Sequence, residues 1–375
     1  MTLSKVKRFV TRSLPEYFKA FALSSAPSTY SAFRYAPHSA TLHITDNCFF
    51  KCVMCDQWRN HKVGELSAQE WKGVVTQLRA MNIRHVSFAG GEVFMRKDLF
   101  EILAHIKSLG MTSSLITNGF ILDRTRIEAA IEAGLTTFGI SLDAVGPEFD
   151  KIRGTAGASE RVIAACELLA EYRQKHRIEV HLYFTLMKQT LDTYREVFAV
   201  ARRLDLLLVV SLIDLTPYFF KELGGRKDEF WIDSDDPALA EFQRFLVTER
   251  GRNRRAIYSL FSEIGYFRKY FADPLQKDIP CLVSQNRLGI DSQGKVYGGC
   301  WSMGAFGNVK DAPLASIVAS PKYRNAHRDM FEKKCPGCSC GYSGNLRHNL
   351  PYRLEDLAYT LLPSRRGKIW QSSGV

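Results

Sequence analysis

The sequence predicts an α/β fold built on parallel strands. Six short apolar, β-branched runs recur between residues 40 and 212, and segments of helical period separate them. The connections are short, so each strand–helix–strand step is expected to be a right-handed crossover between parallel strands. Two closures are open from the pattern alone: a doubly wound sheet or a barrel-like sheet.

The elements follow in order. Residues 1–38 form a basic, amphipathic N-terminal extension. Leu3, Val6, Val10, Leu14, Tyr17, Phe18 and Phe21 recur at helical spacing, with Lys5, Lys7, Arg8 and Arg12 between them. This reads as a helix packed on the main domain or resting on an anionic membrane surface. Residues 39–215 hold the alternation. The strands are "ATLHIT" (40–45), "HVSFAG" (85–90), "TSSLIT" (112–117), "TTFGIS" (136–141), "IEVHLYF" (178–184) and "LLLVVSL" (206–212). Helices are expected near 67–81, 98–109, 123–133, 159–175 and 191–203, with Gly110 and Gly134 where two of them stop. No GxGxxG or GxxxxGK[ST] follows a strand, so no nucleotide phosphate cradle is advertised.

Residues 216–274 form a connecting region, irregular at first and then helical and basic over 238–271. Residues 275–345 are rich in Gly and Cys. There "LGIDSQGKVYGGC" reads as a hairpin turning at Ser292-Gln293-Gly294, with a helix near 313–319. Residues 346–375 form a tail.

Composition sets outer limits. The 375 residues are 46% hydrophobic and carry a formal charge of +12, enough for a substantial core and compatible with an anionic partner. The basic residues are scattered, so no specific nucleic-acid partner is expected. No run of 18 apolar residues occurs and the first residues lack a secretory pattern, so the expected location is cytoplasmic, with peripheral attachment to the inner membrane surface as a further option.

Nine cysteines are present, most of them bunched, and in a reducing compartment bunching points to metal ligands or catalysis. Cys48, Cys52 and Cys55 stand in "CFFKCVMC", directly after the first strand, where parallel α/β folds place their chemistry. A structural zinc asks for four ligands, commonly as two separated pairs. An iron–sulfur cubane suits three thiolates on one loop, because the iron without a protein ligand stays open for a small molecule.

C-x3-C-x2-C after the first strand of an α/β chain resembles the radical S-adenosylmethionine (radical SAM) superfamily. Gly90-Gly91-Glu92, "ITNG" (116–119) and "SLDA" (141–144), each at a strand end, are similar to stretches found there. The resemblance implies a partial (β/α)6 TIM-like barrel and a [4Fe–4S] cluster held by Cys48, Cys52 and Cys55, with S-adenosylmethionine on the open iron. It also implies cofactor contacts from Gly90, Gly91 and Glu92, and from Ser141 and Arg153 to the ribose or carboxylate. An electron donor such as flavodoxin or ferredoxin is implied as partner. Met54 and Val93 depart from the aromatic residue and the proline usual at those positions.

Cys281, Cys300, Cys335, Cys338 and Cys340 form a second group, around the hairpin and in "CPGCSC". They resemble the twitch or SPASM domain attached to many of these enzymes, a small Cys-rich hairpin-plus-helix unit. That implies one auxiliary [4Fe–4S] cluster on Cys281, Cys300, Cys335 and Cys338, with Cys340 outside the set. The expected function is a radical SAM oxidoreductase that abstracts hydrogen from a sugar, a peptide or a lipid-linked intermediate. Carbon–carbon coupling and methyl transfer are the alternatives within the class, and a zinc-binding nucleic-acid protein is the alternative outside it. Peptide maturases of the family commonly carry an N-terminal recognition module larger than 38 residues, which lowers the peptide option.

Overall fold

A computed structural model describes residues 37–59, 63–214, 226–253, 256–259, 261–274, 281, 287–332 and 334. Residues 1–36 of the N-terminal extension, the 346–375 tail, and Cys335, Cys338 and Cys340 lie outside the described residues.

Six parallel strands run β1 (Ser39–Thr45), β2 (His85–Gly90), β3 (Thr112–Thr117), β4 (Leu135–Ser141), β5 (Glu179–Leu186) and β6 (Leu207–Leu212), each paired with its sequence neighbour. Among the described residues β6 does not return to β1, so the sheet is unclosed. The expected partial barrel needs this open topology.

Alternation sets which way each strand faces. In β1, Ala40, Leu42 and Ile44 are fully buried, and the opposite register carries Thr41, His43 and Thr45. The covering helices are α1 (Ala68–Ala80), α2 (Leu99–Ser108), α3 (Arg124–Glu132), α4 (Pro147–Arg153), α5 (Ala158–Lys175) and α6 (Tyr194–Arg203). Helix α1 starts where Ser67 and Glu70 form a reciprocal capping box, and it buries Trp71, Val74, Val75 and Leu78. Gly110 and Gly134 end α2 and α3 in the left-handed region, at φ of 67° and 100°. Cys166 is fully buried on α5.

Two features depart from the local pattern. The helical stretch expected over 238–271 is broken. Helix α7 (Pro237–Arg252) ends, residues 256–258 drop onto β6, and two short helices follow at Phe261–Gly265 and Phe267–Ala272. Leu208 N donates to Ala256 O at 2.8 Å and Tyr258 N to Leu208 O at 2.8 Å. This covers the backbone of a strand that would otherwise be a bare edge.

The hairpin, in turn, joins the main sheet. Strand β7 (Arg287–Ile290) pairs in parallel with β1, then β8 (Lys295–Tyr297) and β9 (Gly307–Asn308) follow antiparallel. The turn closes where expected. The Asp291 carboxylate accepts from the backbone N of Gln293 and Lys295, and Gly294 takes φ of 87°. Helices α8 (Leu314–Ala319) and α9 (Pro321–Phe331) complete this end.

Candidate functional site

The site is assembled at the carboxyl ends of β1 to β4. Two backbones grip the cysteine loop. On one side Gly91 N donates to Thr45 O at 2.8 Å and Glu92 N to Asn47 O at 2.7 Å. A Cβ on Gly90 would lie 2.3 Å from Thr45 O, and one on Gly91 2.2 Å from Asn47 O, so neither position admits a side chain without moving backbone. On the other side Lys51 N donates to Arg153 O and Val53 N to Ile152 O, at 3.2 and 3.0 Å. Gly154, at φ of 64°, lets that approach happen: a Cβ there would meet Lys51 O at 2.5 Å. The apolar residues of "CFFKCVMC" anchor the loop. Phe50 is buried and packs edge-on with Phe49 and Phe120, and Met54 is buried in the core.

Each of the three thiols faces at least one N–H group. Asn118 Nδ2 points at Cys48 Sγ (3.9 Å), Arg153 Nη1 at Cys52 Sγ (3.7 Å), and Gln57 N at Cys55 Sγ (3.4 Å). Burial pushes Cys48 up to about 11 and Cys55 up to about 12, with the neighbouring thiols adding to it. Burial also raises Cys52, against the pull of Arg153. Three thiolates are therefore disfavoured here in the absence of a cationic centre, and their N–H donors are already in place to receive the anionic form. The donor set and its surroundings fit an iron–sulfur cluster. Among the described residues no three His, Cys, Asp or Glu side chains converge on one point as a bare ion's ligands do.

Glu92 is fully buried. Its Oε1 accepts from Thr117 Oγ1 (2.7 Å) and Phe94 N (3.1 Å), and its Oε2 from Asn118 N (2.8 Å). Burial raises its carboxyl above the usual range, and the bonds from Thr117, Asn118 and Phe94 draw it back. The side chain thus ties the end of β2 to the "ITNG" turn, whose Asn118 faces Cys48. Ser141 ends β4, half-buried, in register with Tyr183. Arg153 is buried, and its guanidinium is paired with Asp143.

Asp143 was not singled out by sequence reasoning. It is fully buried, and its Oδ1 accepts from Thr185 N at 2.7 Å. The available signal was its place two residues beyond a strand end, ten residues before an arginine. On either side of the hairpin in the sequence, Cys281 and Cys300 are both buried. Trp301, beside Cys300, stacks on His43 of β1 with ring centroids 4.1 Å apart. The structure therefore gathers Cys48, Cys52, Cys55, Gly90, Gly91, Glu92 and Arg153 into one site, with Ser141 at the same sheet end.

An unclosed parallel sheet with three half-buried cysteines on the loop after its first strand defines an α/β enzyme built around a metal cluster. The comparisons name the family. Residues 42–201 match the radical SAM superfamily, and residues 281–341 match the iron–sulfur cluster-binding domain called SPASM. A PqqA peptide cyclase of Rhizobium meliloti is 30% identical over 80% of this chain and 79% of its own. An AdoMet-dependent heme synthase of Methanosarcina barkeri is 25% identical over 81% of this chain and 91% of its own. The structure of Streptococcus suis SuiB bound to precursor peptide SuiA shares the fold, with a TM-score of 0.62 and 15% identity over 80% of this chain and 69% of that one.

The chain belongs to the radical SAM superfamily and carries a SPASM domain. It is an enzyme that uses a [4Fe–4S] cluster with S-adenosylmethionine, together with auxiliary iron–sulfur in the SPASM domain. Among the described residues no helix is long and apolar enough to cross a membrane.

Proposed function

We propose that this chain is a radical SAM oxidoreductase that abstracts hydrogen from a peptide substrate and forms a new bond within it. The observation that carries the chemistry is the loop of Cys48, Cys52 and Cys55, each thiol facing an N–H donor beside Gly90 and Gly91. Likeness to PqqA peptide cyclases over four-fifths of the chain favours the peptide over a sugar or a lipid-linked intermediate. The likeness to a heme synthase supports a second reading, a tetrapyrrole substrate.

Cys48, Cys52 and Cys55 would hold the cluster, leaving it able to take S-adenosylmethionine. When bound, the cluster and its co-substrate supply one-electron cleavage of the sulfonium, giving methionine and a 5′-deoxyadenosyl radical. The chain's own residues prepare this chemistry. Gly90 and Gly91 keep the backbone close and bare. Glu92 orients the ammonium directly or through the turn it braces. Ser141 and Arg153 receive the ribose or carboxylate, and Arg153 Nε, buried and without a hydrogen-bond partner, is the donor left over for it. Cys281, Cys300, Cys335 and Cys338 would hold the auxiliary cluster, which would supply an electron acceptor for the substrate radical or position the substrate. The electron donor is a small redox protein such as flavodoxin or ferredoxin.

The test is anaerobic and has two parts. Replacing Cys48, Cys52 and Cys55 together with alanine removes about four irons per chain and leaves the auxiliary cluster. Adding Cys338→Ala to that variant removes the remaining iron, whereas adding Cys340→Ala spares it. Unchanged iron in the triple variant would overturn the ligand assignment. The wild type is then offered candidate peptides, sugars, lipids and tetrapyrroles, and peptide-dependent 5′-deoxyadenosine is expected. Formation with tetrapyrroles alone rejects the peptide reading.

A further inference from the structure

Arg153 does more at this site than offer a spare N–H. Its backbone carbonyl accepts from Lys51 N, its Nη1 reaches Cys52 Sγ at 3.7 Å, and its Nη2 binds Asp143 Oδ2. Asp143 is in turn fixed by two further hydrogen bonds and by burial. Its Oδ1 accepts from Thr185 N (2.7 Å), its carbonyl from Thr193 Oγ1 (2.6 Å), and its side chain has no exposure. The Phe149 ring lies 5.6 Å from the guanidinium. One positive and one negative group are thus locked in a fixed order away from the Cys52 sulfur, the positive one in contact.

We infer that Arg153 and Asp143 are an opposed pair of charges that sets the reduction potential of the cluster through its Cys52 corner. The inference rests on the reading that Cys48, Cys52 and Cys55 hold that cluster. One-electron reduction, by dithionite or a physiological reductant, adds one negative charge to the cluster. A guanidinium in contact with a cluster thiolate stabilises the added electron, and the carboxylate behind it partly cancels that help. Both groups are withdrawn from water, so solvent screens neither fully. Arg153 acts here as a positioning and tuning residue, separately from any contact with the co-substrate.

The pair makes a prediction that a purely structural role does not, because its two members push in opposite directions. The full chain, loaded anaerobically, is titrated with dithionite and followed by electron paramagnetic resonance without S-adenosylmethionine. The relevant signal is identified as the one that changes when S-adenosylmethionine is added to the same sample, and the auxiliary cluster is the internal reference. At the wild-type midpoint, Arg153→Gln is expected to lower the reduced-to-oxidised ratio about tenfold. That corresponds to about 59 mV for one electron. Asp143→Asn is expected to raise the ratio, and Arg153→Lys, which keeps the charge, to stay within about twofold of wild type. Shifts of Arg153→Gln and Asp143→Asn in the same direction, or no shift in either, overturn the inference. If Asp143→Asn does not load, the contrast between glutamine and lysine at position 153 decides alone, and a lysine variant that behaves like the glutamine one overturns it. A wild type with no S-adenosylmethionine-responsive signal would defeat the ligand assignment instead, so the two failures are distinct.

Discussion

Replacing Glu92 by glutamine is close to isosteric, yet the structure makes it costly. The carboxylate offers acceptors in two directions: Oε1 takes Thr117 Oγ1 and Phe94 N, and Oε2 takes Asn118 N. A glutamine keeps one oxygen. If that oxygen stays on the Thr117 and Phe94 side, its amide N–H2 confronts the Asn118 N–H, donor against donor. If the amide flips, two donors lose their acceptor instead. The first arrangement is cheaper, and it forfeits one charge-assisted bond while stranding a buried N–H. That loss is worth about 1–3 kcal/mol. Removing a buried charge offsets part of it, because burial already disfavours the ionised carboxyl. The net expectation is a destabilisation of about 1–2 kcal/mol in urea unfolding of the anaerobically loaded protein, compared with wild type at equal iron content. Affinity for S-adenosylmethionine falls alongside by roughly 1.5–3 kcal/mol, read by titration under reducing conditions. An unfolding free energy within about 0.5 kcal/mol of wild type would refute the brace. An unaltered dissociation constant would remove Glu92 from the cofactor site.

Two further outcomes follow from the geometry. Gly91→Ala puts a methyl group 2.2 Å from Asn47 O, a backbone atom with no freedom to yield, so the loop shifts and iron loading drops sharply, measured as iron per chain. His327, buried on α9 and stacked on Tyr323, has its imidazole pushed down to about 3 by burial. Its folded value lies below the unfolded one near 6.5, so the unfolded chain takes the proton first and stability is lost as pH falls from about 6.5 toward 3. The slope approaches about 1.4 kcal/mol per pH unit, and between pH 6.5 and 5 a His327→Phe variant should flatten it in thermal unfolding.

Local pattern carried a large part of the fold. β2 and β3 fall where the apolar runs begin and end, and α5 starts one residue before its expected position. These segments have one clear period and a glycine or polar stop at each end. Helix α4 was missed because it is only two turns long, begun by Gly146 and Pro147 and ended by Gly154. The pairing of β7 with β1 was beyond reach, since hydrogen bonds between positions some 250 residues apart leave no trace in either strand's own sequence. At the site, residue types that do chemistry were legible and their partners were not. Cysteine spacing exposes Cys48, Cys52 and Cys55. That Arg153 touches Cys52, or that Glu92 is spent on Thr117 and Asn118, depends on which turns meet at one end of a sheet. The glycines of "GGE" show the same limit. Their bareness serves the approach of Thr45 and Asn47 as well as any cofactor.

The seam between β1 and β7 has a consequence for how the two groups of cysteines are spaced. Cys48 lies at the end of one strand, and Cys300 lies just past the hairpin grown on its neighbour. The placement of Cys300 relative to Cys48 is set by sheet register, whatever the length of chain that separates the two strands.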